Sequence, residues 1–85
     1  DISSWDVSNV VSMGMMFRWA VSFNQPIGSW DVGSVQSMTR MFEEAQSFNQ
    51  DLSSWCVSNI TSEPLGFFNG VPISYYYEPV WGTCP

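Results

Sequence analysis

Histidine and lysine are both absent from this 85-residue chain, and Arg18 and Arg40 are its only basic side chains. The lack of histidine removes the commonest general base and the commonest metal-ligating side chain. With eight acidic residues the net charge is −6 and the isoelectric point near 4.1. Such a balance repels phosphate backbones and anionic lipid surfaces, so no nucleic-acid partner is expected. Long apolar runs are missing too. Stretches such as Met15 to Phe17 and Tyr75 to Tyr77 fall far short of the roughly 20 residues a membrane-spanning helix needs, and no membrane insertion is expected of this segment. No initiating Met and no basic-then-apolar leader open the chain, so any targeting peptide is expected to lie outside these residues. Charge is scarce as well, at 12 % against 45 % hydrophobic residues, which is a folding composition and not a disordered one.

What is present is a repeat. Trp5, Trp30 and Trp55 lie 25 residues apart, as do Val7, Val32 and Val57, and fifteen of the 25 positions are identical between residues 1–25 and 26–50. Within each unit Ile2, Trp5, Val7 and Val10 space as L-x-x-L-x-L-x-x-L, and the Trp-to-Val step predicts a strand. Met13, Met16, Phe17 and Ala20 follow at i, i+3, i+4, i+7, which predicts a short helix, with Ser12 and Ser37 as its N-caps. One strand and one short helix cannot bury an apolar face alone, so the units are expected to stack. The fold class read from these patterns is an α/β repeat solenoid: leucine-rich-repeat-like coils of one short β-strand plus one short α-helix, with a parallel strand stack. Its divisions are 1–25, 26–50, a degenerate capping unit at 51–75 and a tail at 76–85. In the third unit Pro64 and Gly66, the latter aligned with Met16 and Met41, predict a short or irregular helix.

These strings resemble the BspA-like leucine-rich repeat surface proteins, on DISSWDVSNV, MF, A and SFNQ in register over about residues 1 to 75. Val11 and Gln36 depart from it where Thr is common. The resemblance implies a surface-displayed or extracellular array in adhesion and surface binding, with no enzymatic role, and PVWGTCP at Pro79 to Pro85 looks like the C-terminal cap of such proteins.

Cys56 stands where Asp6 and Asp31 stand, and its one possible intrachain partner is Cys84. Two unrelated thiols are the alternative to a disulfide, which is the favoured reading because the pair falls in the non-repeating region and implies an oxidising, extracellular compartment. The staple would hold Tyr75, Tyr76, Tyr77 and Trp81 across the end of the core, unless Tyr76 and its neighbours form an exposed binding patch. At the other end Ile2, Trp5, Val10 and Met13 have no visible cover, so either further repeats precede them or another subunit docks there.

Stacking at about 4.8 Å would set Asp6 beside Asp31. Solvated or turn-capping carboxylates are the favoured reading. A divalent-cation face for calcium is a lesser one, and a retaining-glycosidase pair the least, since nothing else forms a cleft. The Trp5 series is assigned to the core rather than to a sugar-stacking strip. Trp19, whose repeat partner is Glu44, is the better aromatic contact. Asn59-Ile60-Thr61 is an N-glycosylation sequon. Asn24 and Gln25 are expected to bond to Asn49 and Gln50, Arg40 to pair with Glu44, and Arg18, Glu43 and Glu44 to lie on a solvated face. No cofactor is called for. The functional expectation is a non-enzymatic extracellular or cell-surface protein that contacts protein or glycan. The alternative is a subunit that packs end to end on copies of itself in a filament or wall coat.

Overall fold

Every L-x-x-L step closes a reverse turn. The Trp5 N–H donates to the Ile2 carbonyl and the Val10 N–H to the Val7 carbonyl. The same two turns recur as Ile27–Trp30 and Val32–Val35, then as Leu52–Trp55 and Val57–Ile60. In the second and third units the apolar residues at the first and last turn positions are buried, and in all three Ser, Gly and Asn occupy the two corners, as turn chemistry favours. These contacts come from a computed structural model, which describes residues 2–71 and 77–85.

The second half of each unit is a run of overlapping turns. Met16, Arg18 and Ala20 donate back to Met13, Met15 and Phe17, and Met41, Glu43 and Ala45 do the same three residues back. The intervening N–H groups leave the unit: Met13, Met15, Phe17 and Trp19 donate at 2.8–2.9 Å to the carbonyls of Ser37, Thr39, Met41 and Glu43. Met15 and Trp19 hold φ of 58° and 63°, and Arg40 and Glu44 hold 56° and 59°. A left-handed residue every fourth position cannot continue an α-helix.

The expected α/β repeat solenoid is therefore not formed. Among the described residues the only extended pairing is an isolated parallel bridge between Ser12 and Ser37, and turns replace both the expected strand and the expected helix. Ser12 and Ser37 cap no helix. Spacings of i, i+3, i+4, i+7 report which side chains share a face, and consecutive turns satisfy them as well as a helix does. No helix among the described residues is long and apolar enough to cross a membrane.

The units nevertheless lie side by side as layers. Arg40, Phe42 and Glu44 donate to Leu65, Phe67 and Asn69 of the third, just as the first unit donates to the second. Between them sits the core of Ile27, Trp30, Val32, Val35, Met38, Met41, Phe42, Ala45, Phe48, Leu52, Trp55, Val57 and Phe67, each at most 4 % exposed. Phenylalanine rings stack down it, Phe23 on Phe48 at 5.7 Å and Phe17 on Phe42 at 5.6 Å.

The 25-residue period slips once. Turn bonds of the third unit run Phe67 to Pro64, Asn69 to Gly66 and Val71 to Phe68, one residue later than the period demands. The left-handed positions move with them, to Gly66 (φ 66°) and Gly70 (φ 81°). Phe67 thus takes the Met16/Met41 place, Phe68 the Phe17/Phe42 place, and Gly66 that of Met15 and Arg40. Glycine there avoids the roughly 1–2 kcal/mol that a left-handed backbone costs other residues. Beyond it the tail lies against the first half of the third unit: Leu52 and Val57 donate to the carbonyls of Tyr77 and Thr83.

Candidate functional surface

Asp6 and Asp31 each serve their own turn. Asp6 Oδ1 accepts from the Ser8 N–H at 3.0 Å and the Ser8 hydroxyl at 2.5 Å, and Asp31 Oδ1 accepts from the Gly33 N–H at 3.0 Å. Asp51 does the same for Ser53 at 2.9 Å. The serine hydroxyl, followed by the backbone N–H, holds the Asp6 and Asp51 carboxyls below their ordinary range. Among the described residues no three His, Cys, Asp or Glu side chains gather as a metal would need. At the equivalent place Cys56 is bonded to Cys84, 28 residues on, and this disulfide is the staple of the tail.

Both cations of the chain converge on one carboxylate. Arg18 Nε donates to Glu43 Oε1 at 2.6 Å and Arg40 Nη1 to Glu43 Oε2 at 2.5 Å. Glu43 is 5 % exposed, so it is not part of a solvated face, and Arg40 pairs with it rather than with Glu44. The hydrogen bond from Arg18 holds the Glu43 carboxyl below its ordinary value, with Arg40 adding to it against the opposing effect of burial. The signal was present in the period: Arg18 and Glu43 stand 25 residues apart, which is one layer.

Indole and amide side chains donate from a later unit to an earlier one, opposite to the backbone ladder and to the Arg18 side chain. Trp30 Nε1 donates to the Ile2 carbonyl and Trp55 Nε1 to the Ile27 carbonyl, both at 3.0 Å. Asn24 Oδ1 accepts from the Asn49 N–H at 2.8 Å, and Gln50 Nε2 reaches the Asn24 carbonyl and Oδ1. Asn59 Nδ2, the sequon nitrogen, donates to the Gly33 carbonyl at 3.0 Å. It carries two hydrogens, so a glycan replacing one leaves the other for that bond. Trp81 departs from both patterns. Trp30 lies tilted against Phe17 and Trp55 against Phe42, whereas Trp81 meets Phe67, at the Met16/Met41 place, edge-on, and its buried Nε1 has no acceptor among the described residues.

The proposed contact residues separate. Trp5 is 55 % and Trp19 59 % exposed, Ile2 and Val10 are half-buried, and Met13 is buried between the first two units, so it does not belong to the open end. Tyr76 lies outside the described residues. Trp19 has company that the sequence reading did not gather. Val11, Met15 and Val21 are exposed beside it in the chain, where the second unit carries Gln36, Arg40 and Gln46. A shallow cleft of about 580 Å³ lies at the other end, lined by Arg40, Glu63, Leu65, Phe68, Val71 and Glu78 among others. Burial, and then the nearby Glu63 charge, raise the Glu78 carboxyl above its ordinary value.

The arrangement offers acceptor carbonyls, exposed aromatics and a stapled tail. No curated protein and no solved structure matches this chain. A family model matches residues 1–73, nearly its whole length, and the chain therefore belongs to the family described as "Mycoplasma protein of unknown function, DUF285".

Proposed function

We propose that this chain is a non-enzymatic extracellular or cell-surface protein with a structural or adhesive role, meeting protein or glycan partners through its exposed aromatic and aliphatic rim. The observation that carries the reading is the Cys56–Cys84 disulfide, because such bonds persist in oxidising compartments and are rare where thiols are kept reduced. The exposed Val11, Met15, Trp19 and Val21 support it, since exposed apolar groupings mark contact sites. The resemblance of DISSWDVSNV, MF and SFNQ to the BspA-like surface proteins points the same way.

Localisation tests the compartment directly. Antibody against this chain should label intact, unpermeabilised source cells or their culture fluid, and the Cys56–Cys84 bond should be oxidised in material alkylated at harvest. Labelling confined to permeabilised cells, or a reduced pair, would end the surface reading. Glycan and surface-protein arrays then test the role, with Trp19→Ser expected to lower retention about tenfold.

A further inference from the structure

Five asparagines stand in this chain, and only Asn59 is followed two residues on by a hydroxyl, that of Thr61, with Ile60 between them. It occupies the second corner of the turn closed from the Ile60 N–H to the Val57 carbonyl at 3.0 Å. Asn59 and Thr61 are exposed and Ile60 is buried, so the triplet is anchored through its middle residue and turns both polar side chains outward. The amide leans toward the second unit, where Nδ2 donates to the Gly33 carbonyl. The corners at the same place in the earlier units carry only small or polar residues, Gly33 and Ser34 in the second and Ser8 and Asn9 in the first. The tail meets the triplet at its backbone: Gly82 lies against the Thr61 Cα, and its N–H donates to the Val57 carbonyl.

We infer that Asn59 is the acceptor of an N-linked oligosaccharide when the chain passes through a secretory compartment, its co-substrate an oligosaccharide carried on a polyprenyl diphosphate. In the transfer Nδ2 forms a bond to C1 of the first sugar as the bond from C1 to the diphosphate oxygen breaks. The lipid diphosphate leaves with that electron pair, and Nδ2 gives up one proton. The secondary amide so formed keeps one N–H, enough for the bond to the Gly33 carbonyl. The glycan then projects from an exposed polar corner, and Ile60 stays buried beneath it.

The other units show what this position has that they lack. Asn9 stands at the same corner of the first unit but has Val11 two residues on, and the second unit has Ser34 in its place. Asn24 is followed by Gln25 and Pro26, and its Oδ1 is taken by the Asn49 N–H and the Gln50 amide. The accessibility of Asn59 comes from the turn, whereas its occupancy in the native cell rests on the extracellular reading above, so the test supplies the compartment.

The chain is secreted from a eukaryotic host behind a cleavable signal peptide, and the intact mass of the protein in the medium is read. Most of it should carry one N-linked oligosaccharide, removed by a glycan amidase that leaves an acid in place of the Asn59 amide. Asn59→Gln and Thr61→Ala should each lose the added mass, and Thr61→Ser should keep it. Thr61→Ala, at an exposed side chain, guards against misfolding of Asn59→Gln. The glycosylated chain should melt no lower than unglycosylated Thr61→Ala, because the bond to Gly33 survives. A secreted chain of unmodified mass with the Cys56–Cys84 bond formed would overturn the inference and leave the extracellular reading untouched. Added mass that persists in Asn59→Gln would overturn it too, as would a glycosylated form melting several degrees below Thr61→Ala. The extracellular reading fails separately, in the localisation test above.

Discussion

Trp5 and Trp30 occupy one position in two units that share fifteen of 25 residues, yet the first is 55 % exposed and the second 4 %. Met16 and Met41 differ likewise, at 40 % and 0 %, and Phe17 is half-buried where Phe42 has no exposed surface. Identical side chains thus have different surroundings, because the second unit lies between two layers and the first touches only one. Burial is a property of the neighbour. At positions the repeat leaves variable, the chain has adjusted only one of the two units. Gln36, Arg40, Glu44 and Gln46 give the second a polar rim, whereas Val11, Met15, Trp19 and Val21 leave the first apolar.

The sharpest contrast comes from truncating the paired rings. Phe42→Ala should cost about 3–5 kcal/mol in denaturant titration, the range for a buried aromatic, and Phe17→Ala about half of that because its ring is only partly enclosed. Equal costs would break the contrast between the two units. Next in size is the staple. Replacing Cys56 and Cys84 together by serine should lower stability by about 3 kcal/mol in a thermal or denaturant melt, leaving the first unit's exposures unchanged while Trp81 becomes accessible to quenchers.

Indole substitutions give a smaller and sign-sensitive comparison. Trp55→Phe leaves the Ile27 carbonyl without its indole donor and should cost about 1–3 kcal/mol, whereas Trp81→Phe removes a donor that has no acceptor among the described residues and should be neutral or stabilising. A cost at Trp81 equal to that at Trp55 would mean that the tail obeys the same rules as the units.

The mildest effect is acid dependence. Glu43 has its folded pKa lowered, chiefly by the Arg18 hydrogen bond, so its contribution is present above the unfolded value near 4.5 and is lost as pH falls through the folded one. Glu78 has the opposite sign: raised by burial and Glu63, it favours the fold below 4.5 and loses that contribution as pH rises. Stability measured between pH 5 and 3 should therefore fall less steeply in Glu43→Gln than in the parent, and Glu78→Gln should gain stability at pH 7 relative to pH 4.

Much of this was legible in the residues. The period placed Asn24 against Asn49 and Gln50 and set Cys56 with Cys84 apart from the repeat; it assigned Trp5, Trp30 and Trp55 alike to the interior, where Trp30 and Trp55 lie but Trp5, 55 % exposed, does not. Backbone conformation was not legible. Met13, Met16, Phe17 and Ala20 share a face in a helix and equally in a chain of turns, and nothing in their identity forbids a helix: Met15 and Trp19 are ordinary residues held at positive φ by the bonds to Thr39 and Glu43. Nor was the extra residue of the third unit evident, because FF followed by G and V imitates the unshifted motif until Gly66 and Gly70 are seen at the left-handed positions. The Glu43 pair of arginines needed both the layer register and the turn that swings Arg40 toward it.

What the sequence determined by itself is the inventory and its spacing: which side chains are apolar, that they recur every 25 residues, and that one pair of thiols is available. That follows because burial drives apolar positions inward whatever the backbone between them does. Only the tertiary structure decided where each N–H goes. A donor released from its own turn is satisfied by the next layer at about 2.8 Å, and that sideways choice, made at every second residue, replaces helix and strand with layered turns and gives the molecule one acceptor face and one stapled end.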